Sequence, residues 1–185
     1  MSLAYLTLAA LFASGLTAGA CNKSELHSVE ATTEIKSRDV TFEGKGMTLS
    51  GTLLLPGGDA KAPAFLLLPG SGPTDRDGNS IALPEKVDSL KQIAEELAKN
   101  GVATLRFDKR AVRRYQEKWP KDMAAMNTFF SWQSFVDDAA AGFDFLSKQA
   151  EVDGSRVGLM GHSEGAIISL QIASDRSGKP NAPKA

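Results

Sequence analysis

The stretch "VGLMGHSEGAIISL", Val157–Leu170, decides how the rest of the chain is read. An apolar run meets a Gly-His-Ser-Glu-Gly pivot and then a second apolar run. That is the pattern of strand, sharp turn and helix, with Ser163 at the apex. A turn this tight holds its central residue in a strained backbone conformation and lifts the side chain clear of the sheet. Side chains two positions to either side would strike the turn, so Gly161 and Gly165 are expected to be small for steric reasons. A helix beginning near Glu164 would aim free backbone N–H groups and the positive end of its dipole at the serine. Such a setting favours an oxyanion, and a hydroxyl held there is suited to attack on a carbonyl.

Working outward, the residues before the pivot alternate between strand and helix patterns. "EIKSRDVTFEG" and "MTLSGTLLLPGG" read as two antiparallel strands joined by a turn at Gly44–Gly46. "APAFLLLPGSG", "VATLRF" and "RVGLM" are short apolar runs suited to strands buried on both faces. "LPEKVDSLKQIAEELAKNG" carries Val87, Leu90, Ala94 and Leu97 at helical spacing, with Gly101 at the C-terminal cap. "SWQSFVDDAAAGFDFLSKQA" is a second amphipathic helix with Phe135, Ala139, Phe143 and Leu146 on one stripe. Asp108–Ser131 has no clean period and reads as a functional loop or small insertion. The fold class is therefore α/β, a mostly parallel sheet with antiparallel N-terminal strands and helices on both faces. In such sheets ligands bind at the carboxyl ends of the strands, where "PGSGPTDRDG", "DKRAVRR" and "GHSEG" all fall.

Composition narrows the function. The chain has 185 residues, enough for one domain with a moderate core, and a net charge of −1. That balance argues against a nucleic-acid binder that neutralises phosphates. The basic cluster "DKRAVRRYQEK" is interleaved with acidic residues and reads as a solvated loop rather than a polyanion site. No repeat with a period of about 20–50 residues is present. Residues 1–20 are apolar, small-residue-rich and uncharged, and precede the only cysteine, Cys21. They read as an export signal, leaving a periplasmic or membrane-anchored protein. The Leu-Thr-Ala-Gly-Ala-Cys ending is similar to a bacterial lipoprotein signal with Cys21 lipidated, although Ala18 stands where leucine is usual and no basic residue lies near the start. A plain cleaved signal and an uncleaved anchor helix are the alternatives. Membrane contact is expected only through that signal or lipid. Residues 21–33 read as a polar tether, 34–175 as the domain and 176–185 as a polar tail.

The loop after the "FLLL" run supplies what an acyl-transfer site needs besides its nucleophile. Its glycines let the backbone approach a ligand, and the N–H of Ser71 is the natural partner of the N–H of Glu164 for an oxyanion hole.

Together these residues resemble the α/β-hydrolase superfamily. The nearer likeness is to small bacterial esterases and serine-aminopeptidase-like hydrolases with a "GSGP…DRD" loop, a "DKRG" turn and a "GHSEG" elbow. The resemblance runs from Val40 to about Ala173, in matching order. It implies a serine hydrolase of carboxylic esters acting on small-molecule substrates, with no metal or organic cofactor. It also implies Ser163 as nucleophile and Ser71 and Glu164 as oxyanion donors. Asp75, Arg76 and Asp77 match the loop motif and Asp108 and Arg110 the turn motif, implying ion pairs that brace the loop rather than perform chemistry. Ala111 departs from the glycine of the turn motif, and Pro69 stands where many relatives have histidine.

The missing part is the base. The superfamily's order is serine, acid, histidine, yet the chain has two histidines, His27 and His162, and neither follows Ser163. His162 is held in the turn beside the serine, and His27 lies in the tether without a rigid mount, so neither suits a general base. The chain is therefore expected to be an N-terminal portion of a hydrolase, lacking the strands that would carry the acid and histidine. Its elbow strand would then border the sheet. Two other bond types, peptide and thioester, use the same elbow, and a non-catalytic remnant is the reading from a different class.

Overall fold

The computed structural model describes residues 34–81 and 83–184; the proposed signal, Cys21, the tether and His27 lie outside them. The N-terminal hairpin pairs β1 (Lys36–Glu43) with β2 (Thr48–Leu55), antiparallel, with Phe42 opposite Leu49. β3 (Ala62–Leu68), β4 (Ala103–Phe107) and β5 (Val152–Gly161) complete a five-stranded sheet in the order β1-β2-β4-β3-β5. β3 runs parallel to both β4 and β5, with Leu66 opposite Leu105 on one side and Leu159 on the other, while β2 meets β4 antiparallel.

Alternation along the strands divides the core between the two faces. Leu53, Leu66, Leu105 and Phe107 face the layer containing α3 (Trp132–Ser147) and α4 (Glu164–Asp175), where they meet Phe143 and Ile168. Leu54 and Leu67 point the other way, onto Ala94 and Ala98 of α1 (Ser89–Lys99). Between β4 and α3 the chain forms a 3₁₀ turn at Arg113–Lys118 and a short helix, α2 (Met123–Phe129), so the long connection has local structure of its own.

Three details depart from the sequence reading. The first helix starts at Ser89, so Val87 lies outside it and is exposed, and Ala98 takes a buried place on the stripe. The Asn79 side chain accepts the N–H groups of Val87 and Asp88 and donates to the Asp88 carboxylate, tying the incoming segment in a non-helical path. Gly101 does end the helix, with a left-handed φ of 80°. The second helix buries Val136 and Asp138 as well as Ala139, Phe143 and Leu146.

The third departure is the basic cluster. Arg113 and Arg114 are solvated, but Asp108, Lys109 and Arg110 are only 3%, 4% and 1% exposed. Arg110 does not join a brace around Arg76. It donates to both carboxylate oxygens of Asp138 at 2.7 and 2.8 Å, and to the carbonyls of Lys45 and Phe129. A buried cation needs such a complete set of acceptors to offset its lost hydration. This one ties α3, α2 and the hairpin turn together. Ala111 is not among the residues with positive φ, so this turn does not require a glycine there.

β5 lies at one border of the sheet and pairs with β3 alone among the described strands. Residues after α4 return to it, with the Lys184 N–H donating to the Val157 carbonyl at 2.8 Å. Arg176 anchors the start of that segment on the Asp144 carboxylate.

Candidate active site

The parallel directions of β3, β4 and β5 bring their carboxyl ends to one edge of the sheet. That places the loop after β3, Asp108–Arg110 and the pivot together. Ser163 sits between β5 and α4 with φ 53° and ψ −118°, an unusual conformation for a residue with a Cβ. Asp88 is the only other non-glycine residue of positive φ among the described residues. The bend is held by the His162 N–H donating to the Leu68 carbonyl at 3.0 Å and the Gly165 N–H donating to the His162 carbonyl at 2.9 Å. His162 and Ser163 are both exposed.

Packing explains the flanking glycines. A Cβ on Gly161 would overlap the Gly165 carbonyl group, and one on Gly165 would overlap the carbonyl of Leu68. Both obstacles are backbone, so no side-chain rotation relieves them. The constraint on these two positions is therefore close approach rather than φ, since neither has a left-handed conformation.

The β3 loop runs against the bend. A Cβ added to Gly70 would lie 3.0 Å from the His162 Nδ1 and 3.4 Å from the Ser163 Cβ. The Thr74 hydroxyl donates to the Ser71 carbonyl at 2.9 Å, and Gly72 turns the chain with φ 77°. Ser71 is exposed, and Glu164 opens α4, where a first-turn N–H has no intrahelical acceptor. A hollow of about 190 Å³ lies beside the bend, walled mainly by Pro69, Thr74, Leu90, Ile93 and His162.

Charged residues fasten the rest of the loop. Asp75 accepts the N–H groups of Asp77 and Asn79 within the loop. Arg76 donates to Asp108, and Asp77 pairs with Arg106 of β4. The Arg106 Nε is buried without a protein partner. Burial opposes ionisation of Asp108, but hydrogen bonds from the Arg76 side chain, the Arg76 N–H and Arg114 outweigh it and hold the carboxyl below its usual range.

Lys109 was missed by sequence reasoning. Its Nζ donates to the Gly70 carbonyl at 2.5 Å and to Glu164 Oε1 at 3.0 Å, so it spans the loop and the elbow. Burial pushes its ammonium below the ordinary lysine value, and the hydrogen bond to Glu164 offsets only part of that. The available signal was positional, three charges directly following a buried strand. Among the described residues no group of three or more His, Cys, Asp or Glu side chains is placed to hold a metal ion.

Comparison with solved structures decides the fold. A dienelactone hydrolase from Anabaena variabilis superposes with a TM-score of 0.58 at 22% identity, covering 82% of this chain and 61% of that one. An esterase from Pyrobaculum calidifontis gives a TM-score of 0.55 at 18% identity, covering 80% of this chain and 42% of that one. The chain carries part of an α/β-hydrolase fold. In sequence it is 33% identical over 138 residues to esterase EstD of Thermotoga maritima, a match covering 75% of this chain and 29% of EstD. It thus spans less than a third of that curated relative. No family model matches the sequence.

Proposed function

We propose that this chain carries the nucleophile half of a carboxylic ester hydrolase that works by acyl transfer. The observation behind this reading is the backbone of Ser163, held at φ 53° between β5 and α4, with Gly70 near enough that a Cβ there would stand 3.4 Å from the Ser163 Cβ. The likeness to EstD supports the choice of ester over peptide or thioester substrates.

In this reading the Ser163 Oγ attacks the ester carbonyl while its proton passes to a general base. The N–H groups of Ser71 and Glu164 take the negative charge that develops on the carbonyl oxygen. Collapse expels the alcohol with that proton, and water then attacks the acyl-serine and releases the acid. His162 is adjacent to the nucleophile, but its ring lies against Gly70 on the loop side and lines the hollow there. The base and the acid orienting it are, in this proposal, supplied from outside the described residues. Export and lipidation of Cys21 belong to the same proposal and rest on sequence alone.

A fluorophosphonate probe with added imidazole tests this. Imidazole replaces a missing histidine by taking the Ser163 proton as the oxygen displaces fluoride from phosphorus. Slow labelling of the 185-residue chain is expected without imidazole, with acceleration on the order of 10²-fold or more with it, the range of general-base catalysis. Ser163→Ala should abolish the signal. Labelling that imidazole fails to raise, or that persists in Ser163→Ala, would refute the assignment of Ser163.

A further inference from the structure

We propose that Lys109 is a positioning residue that sets the geometry of the oxyanion hole by holding both of its donors at once. The inference rests on the nucleophile reading above and adds a part that the "DKR" sequence did not disclose.

The argument begins with the peptide unit between Gly70 and Ser71. A peptide is planar and trans, so the Gly70 carbonyl and the Ser71 N–H point in opposite directions and turn only together. Lys109 Nζ holds that carbonyl oxygen at 2.5 Å. Fixing the oxygen on the Lys109 side therefore fixes the direction of the Ser71 N–H on the other. A flip of this peptide would change ψ of Gly70 and φ of Ser71, and Gly70, having no Cβ, resists its share little, so the hold on the carbonyl matters. A flip would put a carbonyl oxygen where a donor is needed.

The same ammonium donates to the Glu164 carboxylate at 3.0 Å, and Glu164 is the residue whose backbone N–H is the second donor. Lys109 thereby fixes the β3 loop and the first turn of α4 relative to one another. Its side chain is 5% exposed and its Nζ stands 5.7 Å from the centre of the Phe135 ring, so little water competes for its hydrogens. The charge also polarises the Gly70–Ser71 peptide and strengthens its N–H as a donor. Lys109 reaches the site through the Gly70 carbonyl and the Glu164 carboxylate and touches no reacting atom.

The test compares wild type with Lys109→Met and Lys109→Arg in imidazole-assisted fluorophosphonate labelling of Ser163. Rates are taken per folded molecule, with the folded fraction from circular dichroism. A misaligned oxyanion donor costs on the order of 10- to 10³-fold, so Lys109→Met should label at least 10-fold more slowly. Lys109→Arg keeps a charged donor, although with a larger planar head, and should label faster than Lys109→Met. Lys109→Gln, a neutral donor, carries the same comparison if Lys109→Met does not fold, and should fall between the two. Amide NMR supplies a readout that stability alone does not move: the Ser71 N–H resonance should shift on phosphonylation in wild type and not in Lys109→Met. Equal per-molecule rates in wild type and Lys109→Met would overturn this inference while leaving the nucleophile in place. Absence of labelling in wild type with imidazole would remove both.

Discussion

Arg76 and Asp108 are joined by three hydrogen bonds that use the whole carboxylate. The Arg76 backbone N–H donates to Oδ1 at 3.0 Å, while its Nε and a terminal nitrogen donate to Oδ2 at 3.1 and 2.8 Å. The contact fastens the loop after β3 to the end of β4, 32 residues away. Both side chains are largely buried, at 13% and 5% exposure. Removing one charge leaves the other in a poor solvent, so Asp108→Asn should cost about 2–4 kcal/mol of stability, measured as a lower urea midpoint. Arg114 also reaches Asp108 but is half exposed, and Arg114→Ala should cost about 1 kcal/mol or less.

The same pair gives an expected acid response. The folded pKa of Asp108 is depressed, so its contribution is fully present above the unfolded value of about 4 and is lost as pH falls through the folded value. Wild type should therefore lose stability below about pH 4 more steeply than Asp108→Asn, which has no proton to bind there. Urea midpoints between about pH 6 and 3 check this, and parallel acid limbs would contradict the assigned role.

Among the described residues Asp138 and Arg110 form the most buried ion pair, at 2% and 1% exposure, and the Lys45 N–H adds a third hydrogen bond to the carboxylate at 2.7 Å. Arg110→Met strands that carboxylate and should cost about 3–5 kcal/mol. Adding Asp138→Leu removes the stranded charge and should recover part of the loss. A double-mutant cycle by denaturation reads the coupling, and strict additivity would show that the two do not act as a pair.

What the sequence disclosed and what it hid follow a physical division. The strands were legible because each is a short apolar run between Gly, Pro or polar turns, and burial on two faces demands that composition. The Ser163 bend was legible for a similar reason, since backbone crowding leaves glycine at 161 and 165 and apolar runs on either side. The buried charges were not. Lys109 finds its partners 39 and 55 residues away, and Arg110 finds Asp138 28 residues away, so their burial depends on contacts that only the folded chain creates. Read locally, "DKRAVRRYQEK" has the composition of a solvated loop, yet Asp108–Arg110 and Tyr115 are buried and the charged residues of its second half are exposed. The start of α1 was misplaced by the same kind of cause, because Asn79 holds Val87 and Asp88 out of the helix by tertiary hydrogen bonds.

The two elbow glycines allow the sharpest separation of fold from site. Gly165→Ala would drive a methyl group into the Leu68 carbonyl, and Gly161→Ala would drive one into the Gly165 carbonyl. Neither neighbour can rotate away, so α4 must part slightly from β3 in the first case and from β5 in the second. A cost of about 1–3 kcal/mol is expected from that overpacking. The shift also moves the Glu164 N–H and the Ser163 Oγ relative to each other, and imidazole-assisted labelling should drop by about 10²-fold, as for loss of one oxyanion donor. Gly46 supplies the control. It has a φ of 72° and open space around its α-carbon, so Gly46→Ala meets backbone strain but no collision, far from the bend in sequence. It should lower stability by about 1 kcal/mol and leave the labelling rate per folded molecule unchanged. If Gly46→Ala slowed labelling as much as Gly165→Ala, the loss would reflect general loosening of the fold, and the fit of Gly165 against Leu68 would have no special bearing on the serine.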